Sequence, residues 1–585
     1  MMAATERTGA RKVFARRAEF VIIGLLAGAS FWRLTELPWS WQDSEPFLAT
    51  AVMALSFFGG LLAMLGALGL GRALTAAAAI SVPAGVLVLL KARDFADPAE
   101  MLATGHVPVA LMGLVTLPVP FAIALMTEGR RGWRHYGRLF TESWNIVVRY
   151  AAAWLFVGVV WGVLWLLWSL LDLVGVEIVG DVLTRAPVVW LVSGAVMGLA
   201  LAVVTEMADT ISADLLLRLL RLLLPLVLLV EVVFVAVLPA SGLSHLFGVI
   251  SPTGIVVATA LASIGLVTIA VDAEDACAAQ ARALTLSARG LALLLPVLAG
   301  LALWSLGMRV AEHGWTPERV GGAVLIALIC GYALCYAVAV LRGARWRRLI
   351  RQANIAMALI GVATAAVWMT PLLSAERIAV ASQIARYDAG TTRAAQLPLA
   401  EFAKGWGAPG RAALETLRQR AAQPGQDELV RALARFDGTA PETRVDPAEA
   451  RAQALALTIA VLPAGTEVPP ALLARIAAIA DDDWAKGCAR RTPAGHPACL
   501  LLIEDLTPGR PGRDALFVRD APYDALLAFR EAGNGWASAR PVFLGAGAVP
   551  SGMALIDALS ATGGATRPAD LRALPLDAQQ LSVVP

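Results

Sequence analysis

The chain has 585 residues, of which 58% are hydrophobic and 16% are charged, and its net charge at pH 7 is +3. This balance excludes an ordinary soluble domain, in which about a quarter of the residues are charged. The small net charge and the lack of a basic stripe interleaved with aromatic residues also exclude nucleic acid as an expected partner.

The apolar runs are about twenty residues long, which is the length of a helix that crosses the hydrocarbon layer. Barrel strands would instead alternate over about ten residues. We therefore predict a polytopic α-helical membrane protein whose solvent is the lipid bilayer. Eleven runs form a predicted transmembrane helical domain, residues 18–373, behind a segment of residues 1–17. Their ranges are 18–36, 47–70, 73–90, 107–126, 150–171, 187–206, 219–238, 250–271, 290–308, 320–341 and 354–373.

The first run has features of both a membrane span and a secretory signal peptide. Arg16 and Arg17 precede its apolar core, and the Ala27-Gly28-Ala29 sequence resembles a cleavage site. The apolar run continues past that site through Leu34, which favours a retained span.

The distribution of Lys and Arg between alternate loops predicts the orientation of the chain. With a cytoplasmic N-terminus, the cytoplasmic segments carry twenty of these residues and the opposite side carries six. Most of the excess lies in residues 7–17, 130–149 and 342–351. Because the number of spans is odd, we expect the C-terminal domain to be extracytoplasmic.

From Ser374 onward charged residues return and no apolar run reaches membrane length. This change predicts a C-terminal soluble α+β domain with a mainly helical part, residues 374–497, and a mainly β part, residues 498–585. The predicted helices are 376–388, 398–405, 410–421, 427–436, 447–462 and 470–480. The predicted strands are 500–503, 516–518 and 536–544.

Cys488 and Cys499 are the only cysteines of this C-terminal domain. Pro493, Gly495 and Pro497 lie between them, and such residues favour a turn that brings the two ends together. We predict a disulfide, because a cysteine pair in an oxidising compartment is expected to oxidise. The alternative is two unrelated buried thiols.

Three short segments resemble the bacterial membrane family known as domain of unknown function 4153. They are EHGWTPER at residues 312–319, LLDLVG at residues 170–175 and ASQIARY at residues 381–387. The resemblance implies a bacterial inner-membrane protein and no known reaction. Family members carry an acidic loop before the late strands, but Arg510 and Arg513 stand in the corresponding stretch, residues 504–514, so no calcium site is expected.

Glu231 lies near the middle of the seventh run, six residues after Pro225. A carboxyl group at that depth is costly unless it is neutral, paired or facing a polar cavity, which makes it an intramembrane functional candidate. The alternative is a structural carboxyl group hydrogen-bonded to a neighbouring helix.

A second candidate lies on the predicted outer surface, where the tenth run begins. Thr316, Pro317 and Glu318 read as an N-cap, an N1 proline and an acidic first turn. Capping does not require the other charged residues around them, so we consider a site there. The candidate residues are Arg309, Glu312, His313, Glu318 and Arg319.

Two further clusters have simple structural readings. Glu206, Asp209 and Asp214 lie opposite Arg218 and Arg221, which favours interfacial ion pairs over a proton path. Four tryptophans share one face of the fifth helix, which favours packing or lipid contact over a ligand platform. These tryptophans are Trp154, Trp161, Trp165 and Trp168.

No catalytic, metal or cofactor motif is present in the sequence, so we expect neither a metal nor a cofactor and an enzyme only as an alternative. The leading hypothesis is a transporter-like carrier, or an envelope sensor or scaffold that acts on a partner protein. Proline-interrupted spans, among them Pro118, Pro120 and Pro225, support a carrier. The alternative is a membrane-embedded glycosyl or lipid-group transferase, with candidate carboxylates at Glu36, Asp43 and Glu45. The sequence does not identify the substrate, which is a small molecule or a lipid-linked compound.

Overall fold

The computed structural model describes residues 2–38, 41, 44–207, 213–241, 252–438, 447–480, 484–506, 512–520, 525–533, 535–544, 550–566, 574–576 and 579–584. The chain divides into two compact units, Met1–Thr439 and Ala440–Pro585. The first unit contains long apolar helices, and the second contains a β-sheet. The change in composition at Ser374 therefore precedes the division between the units.

The described part of the chain has eleven helical segments long and apolar enough to span a membrane, as predicted. The helices up to residue 368 are α1 (Met2–Thr35), α2 (Glu45–Leu68), α3 (Leu70–Ala92), α4 (Pro98–Ala103), α5 (His106–Thr116), α6 (Pro118–Glu128), α7 (Tyr136–Asp172), α8 (Ile178–Leu183), α9 (Ala186–Glu206), α10 (Ala213–Arg221), α11 (Leu224–Ser241), α12 (Pro252–Val271), α13 (Arg282–His313), α14 (Pro317–Leu341) and α15 (Trp346–Trp368). The protein is therefore a polytopic α-helical membrane protein.

The predicted span 107–126 is not one uninterrupted helix. It consists of α5 and α6, which meet at Leu117. Pro118 and Pro120 have no N–H to donate to the preceding turn, so the helical hydrogen-bond ladder is interrupted there. The break lies in the middle of a membrane-length segment, which is where discontinuous helices line binding sites in transporters.

Helices α1 and α9 pack backbone against backbone. Gly24 and Gly28 of α1 face Gly194 and Gly198 of α9, and a Cβ atom on any of them would overlap with a carbonyl group of the opposite helix. Two small-xxx-small motifs therefore face each other, and this arrangement lets membrane helices approach closely. The first span is in this way an integral part of the packed unit.

The segment after the last span packs onto the membrane helices. It forms α16 (Ala375–Asp388), α17 (Leu399–Ala403), α18 (Gly407–Ala421) and α19 (Asp427–Phe436), close to the predicted ranges. The carbonyl of Asp94, just after α3, accepts hydrogen bonds from the Ala408 N–H and the Arg411 guanidinium. These contacts explain why residues up to 438 belong to the first unit.

The second unit is built around a seven-stranded sheet in the order β1-β2-β3-β4-β5-β7-β6. Its elements are α20 (Pro447–Ala456), β1 (Ala460–Leu462), α21 (Pro470–Ile479), α22 (Trp484–Cys488), β2 (Cys499–Glu504), β3 (Asp514–Arg519), β4 (Leu526–Ala532), β5 (Gly535–Leu544), α23 (Gly552–Thr562), β6 (Leu574–Leu576) and β7 (Gln579–Val584). β1 pairs parallel to β2, and the other neighbouring pairs are antiparallel.

The central strands are buried on both faces. Leu501 of β2 and Phe517 of β3 pack towards α20, α21 and α22, whereas Leu500, Leu502 and Leu516 pack towards α23. Successive residues of a strand point to opposite faces, so nearly continuous apolar runs are the expected sequence of strands covered on both sides.

The predicted helix 447–462 is wrong in its last third. Helix α20 ends at Ala456, and residues 460–462 form β1, whose partners are residues 500–502 of β2. The β1 strand therefore lies inside the part of the chain predicted to be mainly helical. A three-residue strand is specified by its pairing and burial, which a local helix pattern does not reveal.

The Cys488 and Cys499 sulfurs are bonded, at a distance of 2.03 Å, with the Cα atoms 4.8 Å apart. The bond joins the end of α22 to the start of β2 across a turn that contains Gly495. The structure thus has the disulfide that the turn composition predicts.

Candidate functional site

Two grooves share the lining residue Leu117 where the α5–α6 pair packs near α14 and α15, and we call the two grooves together the seam. The Arg342 side of the membrane unit is defined as the side of the α14–α15 connection, and the Gly314 side as the side of the α13–α14 connection. The Asn354 groove lies towards the Arg342 side and the His106 groove towards the Gly314 side. Leu117, at the α5–α6 break, lines both grooves.

The Asn354 groove has a volume of about 530 Å³. Helices α5, α6, α7, α12, α14 and α15 contribute its walls. Its described lining combines apolar side chains with neutral polar ones. The polar members include Thr116, Tyr136, Ser143, Tyr150, Thr268, Tyr332 and Asn354. The groove opens sideways, since its rim residue Val147 is 54% exposed.

A hydrogen-bond network joins four helices beside this groove. The Tyr336 hydroxyl donates to Asn354 Oδ1 at 2.5 Å and lies 2.9 Å from the Thr268 hydroxyl. The Asn354 amide donates to the Tyr136 hydroxyl at 3.1 Å and to Thr268 Oγ1 at 3.3 Å. Such networks hold membrane helices in one arrangement because unpaired polar groups are costly in hydrocarbon.

The His106 groove has a volume of about 410 Å³ and is lined mainly by apolar and small residues of α5, α14 and α15. At its Gly314 end, the Trp368 indole N–H donates to His106 Nδ1 at 3.2 Å. An indole N–H can only donate, so Nδ1 is an acceptor and the imidazole proton is on Nε2. No described residue accepts a hydrogen bond from His106 Nε2, which is buried.

The side chain of Leu117 separates the two grooves. It lies against glycines on both sides: a Cβ on Gly361 of α15 would be 3.5 Å from Leu117 Cδ1, and one on Gly113 would be 3.9 Å away. Leu117 is itself 38% exposed and is therefore not locked in a core. The seam thus has a narrow point formed by one leucine beside small residues.

A buried ion pair lies near the Gly314 end of the seam. Lys91 Nζ lies 2.8 Å from the Glu376 carboxylate, and the two side chains are 2% and 0% exposed. Burial alone would raise the pKa of Glu376, but the Lys91 ammonium and hydrogen bonds from Lys91 and Ser374 lower it below its ordinary value. The pair fastens α16 to the end of α3.

The outer-surface candidates surround a loop that α16 holds through its backbone. Gln383 Nε2 donates to the carbonyls of His313 and Trp315 at 3.0 Å each, and Arg386 donates to the carbonyls of residues 311 and 312. Gly314 has φ +76°, and a Cβ there would lie 2.7 Å from the Arg386 side chain. Residues 381–387 and 312–319 therefore pack against each other. This packing explains which residue types occur in the two segments.

The five candidate side chains of this surface do not converge on one point. Glu318 lines the His106 groove, whereas Arg319 donates to the Gly314 carbonyl at 2.5 Å. Glu312 and His313 are 3.7 Å apart and exposed. Of the five, which also include Arg309, Glu318 is the one placed at the seam.

Glu231 is 1% exposed and accepts a hydrogen bond from the Ser263 hydroxyl of α12. Its second carboxyl oxygen has no partner among the described residues. Glu231 does not belong to the described lining of either groove. The bond to Ser263 is the kind of contact that the structural reading predicts, and a functional role of Glu231 stays a prediction.

The remaining predicted residues are dispersed. Glu206 pairs with Arg17 at 2.6 Å and Asp214 with Arg218 at 2.7 Å, while Asp209 lies outside the described residues. Glu36 accepts from the Trp32 indole N–H, Glu45 is in the first turn of α2, and Asp43 lies outside the described residues.

The tryptophans of α7 have two different environments. The Trp161 indole N–H donates to the Ser193 hydroxyl of α9, and Trp168 lies beside Gly180. Trp154 and Trp165 are each 63% exposed. This division fits packing on one side and lipid contact on the other.

Carboxylates in and near the acidic stretch, residues 504–514, form hydrogen bonds and ion pairs within the second unit. Asp514 accepts from the Leu506 N–H and pairs with Arg530 at 2.8 Å, and Glu531 pairs with Arg513. Within the described residues, no group of three His, Cys, Asp or Glu side chains is placed to hold a metal ion.

Sequence reasoning missed the central residues of the seam, namely Tyr136, Asn354 and Leu117, and also the Lys91–Glu376 pair. A lone asparagine inside an apolar run indicates a contact between helices, because amide side chains in membrane helices form hydrogen bonds with neighbouring helices. Its partner Tyr136 is 218 positions away in the chain, and no local sequence pattern predicts that the two residues meet.

Comparison of the chain with protein-family models, curated proteins and solved structures finds no match.

Proposed function

We propose that the protein is a carrier that moves an amphipathic, lipid-like substrate across the membrane along the seam. The observation that carries this proposal is the pair of grooves that share the lining residue Leu117 at a helix break. The polar head of the substrate would follow the neutral polar groups of the grooves. Its hydrocarbon tail would stay in the bilayer, because the groove rims, such as Val109 and Val147, are exposed on the lipid side.

Helix breaks at membrane depth support this reading. Leu117 keeps helical backbone angles and its N–H donates to the Gly113 carbonyl, but Pro118 and Pro120 leave carbonyl groups of the preceding turn without a helical donor. Such carbonyl groups need hydrogen-bond partners from protein or a cavity. The α5–α6 break lies directly on the seam, and small residues on α14 and α15 leave room beside it. A shift of the Leu117 side chain would join the grooves without a rearrangement of whole helices.

We also propose a bacterial inner-membrane location with a cytoplasmic N-terminus and a periplasmic C-terminal unit. The arginine asymmetry supports this orientation, and the Cys488–Cys499 disulfide suits an oxidising compartment. Membership of the family known as domain of unknown function 4153 stays a prediction that rests on its three short motifs.

The carrier proposal is tested with the purified full chain in phosphatidylcholine vesicles that contain acyl-labelled NBD lipids. Dithionite bleaches only the outer leaflet, so movement between leaflets is read as bleaching beyond the outer fraction. We expect lipid to move between leaflets faster than in protein-free vesicles. In Leu117→Trp the rate should fall about fivefold or more, because the larger side chain overpacks the narrow point. Overpacking that raises the barrier by ~1 kcal/mol or more slows a rate by that factor.

Met112→Trp is the matched control, since Met112 lies on α5, which ends next to Leu117, is 69% exposed and lines neither groove. Equal slowing by both substitutions, or movement no faster than in protein-free vesicles, would refute the carrier proposal.

A further inference from the structure

The chemistry of the seam indicates which lipid head group it accepts. This step rests on the proposed carrier function and uses the donors, acceptors and charges along the two grooves. The described lining of the Asn354 groove contains no charged side chain, and that of the His106 groove contains one, Glu318. A bound head group would therefore meet hydroxyl, amide, indole and imidazole groups.

The donors and acceptors of the Asn354 network can be assigned one by one. Tyr336 donates to Asn354 Oδ1, so the Thr268 hydroxyl donates to Tyr336 and accepts from the Asn354 amide. The second amide hydrogen of Asn354 goes to the Tyr136 oxygen. These bonds use every hydrogen of the network except that of the Tyr136 hydroxyl, which has no acceptor among the described residues.

Two more donors along the seam are also unused. The Tyr332 hydroxyl lines the Asn354 groove and makes no hydrogen bond with a described residue. In the His106 groove, the buried Nε2–H has no described acceptor. Of these donors, His106 Nε2 is the buried one without a partner, which is uncommon, whereas Tyr136 and Tyr332 are half-buried residues of the groove lining. A substrate that presents oxygen acceptors would supply the missing partners.

Two arginines near the Asn354 groove are engaged in other contacts. Arg351 donates to the carbonyls of Val271 and Asp272 and pairs with Asp275 at 2.8 Å. Arg138 pairs with Glu142 at 3.0 Å. A phosphate head group would find no cationic side chain in the described lining of either groove, and an uncompensated charge is costly where water is excluded.

We propose that the seam is selective for lipids with an uncharged, hydroxyl-bearing head group, such as a glycosylated diacyl lipid, over anionic phospholipids. Sugar hydroxyl and ether oxygens accept hydrogen bonds from the hydroxyls of Tyr136 and Tyr332. Sugar hydroxyls can donate in turn to Glu318 at the Gly314 end. The negative charge of Glu318 disfavours an anionic head group at the same position.

The test compares two acyl-labelled probes, C6-NBD-glucosylceramide and C6-NBD-phosphatidylglycerol, in vesicles that contain the unaltered full chain. We expect the neutral glycolipid to move at least about tenfold faster, which corresponds to ~1.4 kcal/mol. If phosphatidylglycerol moves as fast or faster, with both probes above the protein-free rate, the head-group inference is overturned and the carrier function stands. If neither probe exceeds the protein-free rate, the carrier function itself is overturned.

A pair of variants locates the selectivity. Tyr136→Phe/Tyr332→Phe removes the two unused hydroxyls and is expected to reduce the preference for the glycolipid about fivefold or more. Tyr387→Phe is the matched control, because its hydroxyl bonds to Gln426 outside the seam. An unchanged preference in the double variant contradicts the role of these hydroxyls, and the probe comparison on the unaltered chain does not depend on how the variants fold.

Discussion

Glycine has opposite roles in two regions of the membrane unit. Between α1 and α9, Gly24 and Gly194 bring two backbones into contact, and no space remains for a side chain. Along the seam, a Cβ on Gly322 would meet nothing within 4 Å, and one on Gly361 would meet only the end of Leu117. At these positions the same residue type closes one interface and leaves room in the other, while Gly321 of the seam packs closely against the His106 side chain.

This comparison shows that small residues in a membrane helix do not by themselves identify tight packing. A small-xxx-small motif permits close approach, but whether a partner helix uses the space depends on the neighbouring helices. The α1–α9 contact leaves no space for a side chain, whereas Gly322 and Gly361 leave space along the seam. Stability and transport should therefore respond to substitutions in different regions.

The largest expected effect comes from Gly24→Leu, which should separate α1 from α9. Overlap with backbone cannot be relieved by a rotamer change, so we expect a loss of stability above ~3 kcal/mol and little folded protein in detergent. Gly361→Leu should instead leave the thermal unfolding temperature nearly unchanged while slowing lipid movement. The size-exclusion profile and Tm measure folding and stability, and the dithionite assay measures lipid movement.

Gly158→Leu is the control for helix propensity and size, since a Cβ on Gly158 of α7 would meet nothing within 4 Å. Similar folded yields for Gly24→Leu and Gly158→Leu would mean that the α1–α9 contact is not needed for folding.

The next effect concerns the ion pair that fastens α16 to α3. Glu376→Met leaves Lys91 buried without a partner and should destabilise the protein by about 3–5 kcal/mol. The double variant Lys91→Met/Glu376→Met should recover much of that loss, because no buried charge remains. Chemical denaturation of these two variants, of Lys91→Met and of the unaltered protein in detergent completes a double-mutant cycle and measures the coupling.

The ion pair also predicts the direction of a pH effect. The folded-state pKa of Glu376 lies below its ordinary value of 4.5, so its stabilising contribution is complete above that pH and is lost as the pH falls through the folded value. The unaltered protein should lose stability on acidification below about pH 4.5 more steeply than the Met/Met variant. Parallel pH profiles would contradict this assignment.

The smallest effect is expected at Glu231, which lies outside both grooves. Glu231→Gln keeps an acceptor for the Ser263 hydroxyl and should change stability by ~1 kcal/mol or less, without changing lipid movement. Glu231→Leu removes that hydrogen bond but should also leave lipid movement unchanged. If Glu231→Leu abolishes movement in a normally folded protein, the carboxyl group has a functional role that the seam does not explain.

The sequence alone predicts the class of the protein and much of its helix inventory. Apolar runs of membrane length predict eleven spans because lipid cannot hydrogen-bond to the backbone, and the described structure has eleven such segments. Proline positions predict several helix starts, among them α14 and α20. The disulfide also follows from two cysteines on either side of a turn-forming stretch. All of these are local properties of the chain.

The seam is a property of the tertiary structure alone. Asn354 meets Tyr136 from 218 positions away, Lys91 meets Glu376 from 285 positions away, and Leu117 becomes a narrow point only because Gly361 of another helix lies beside it. β1 likewise exists because residues 500–502 offer it a partner. Hydrophobic length determines which segments enter the membrane, whereas side-chain packing between distant segments determines which polar groups meet and where space remains.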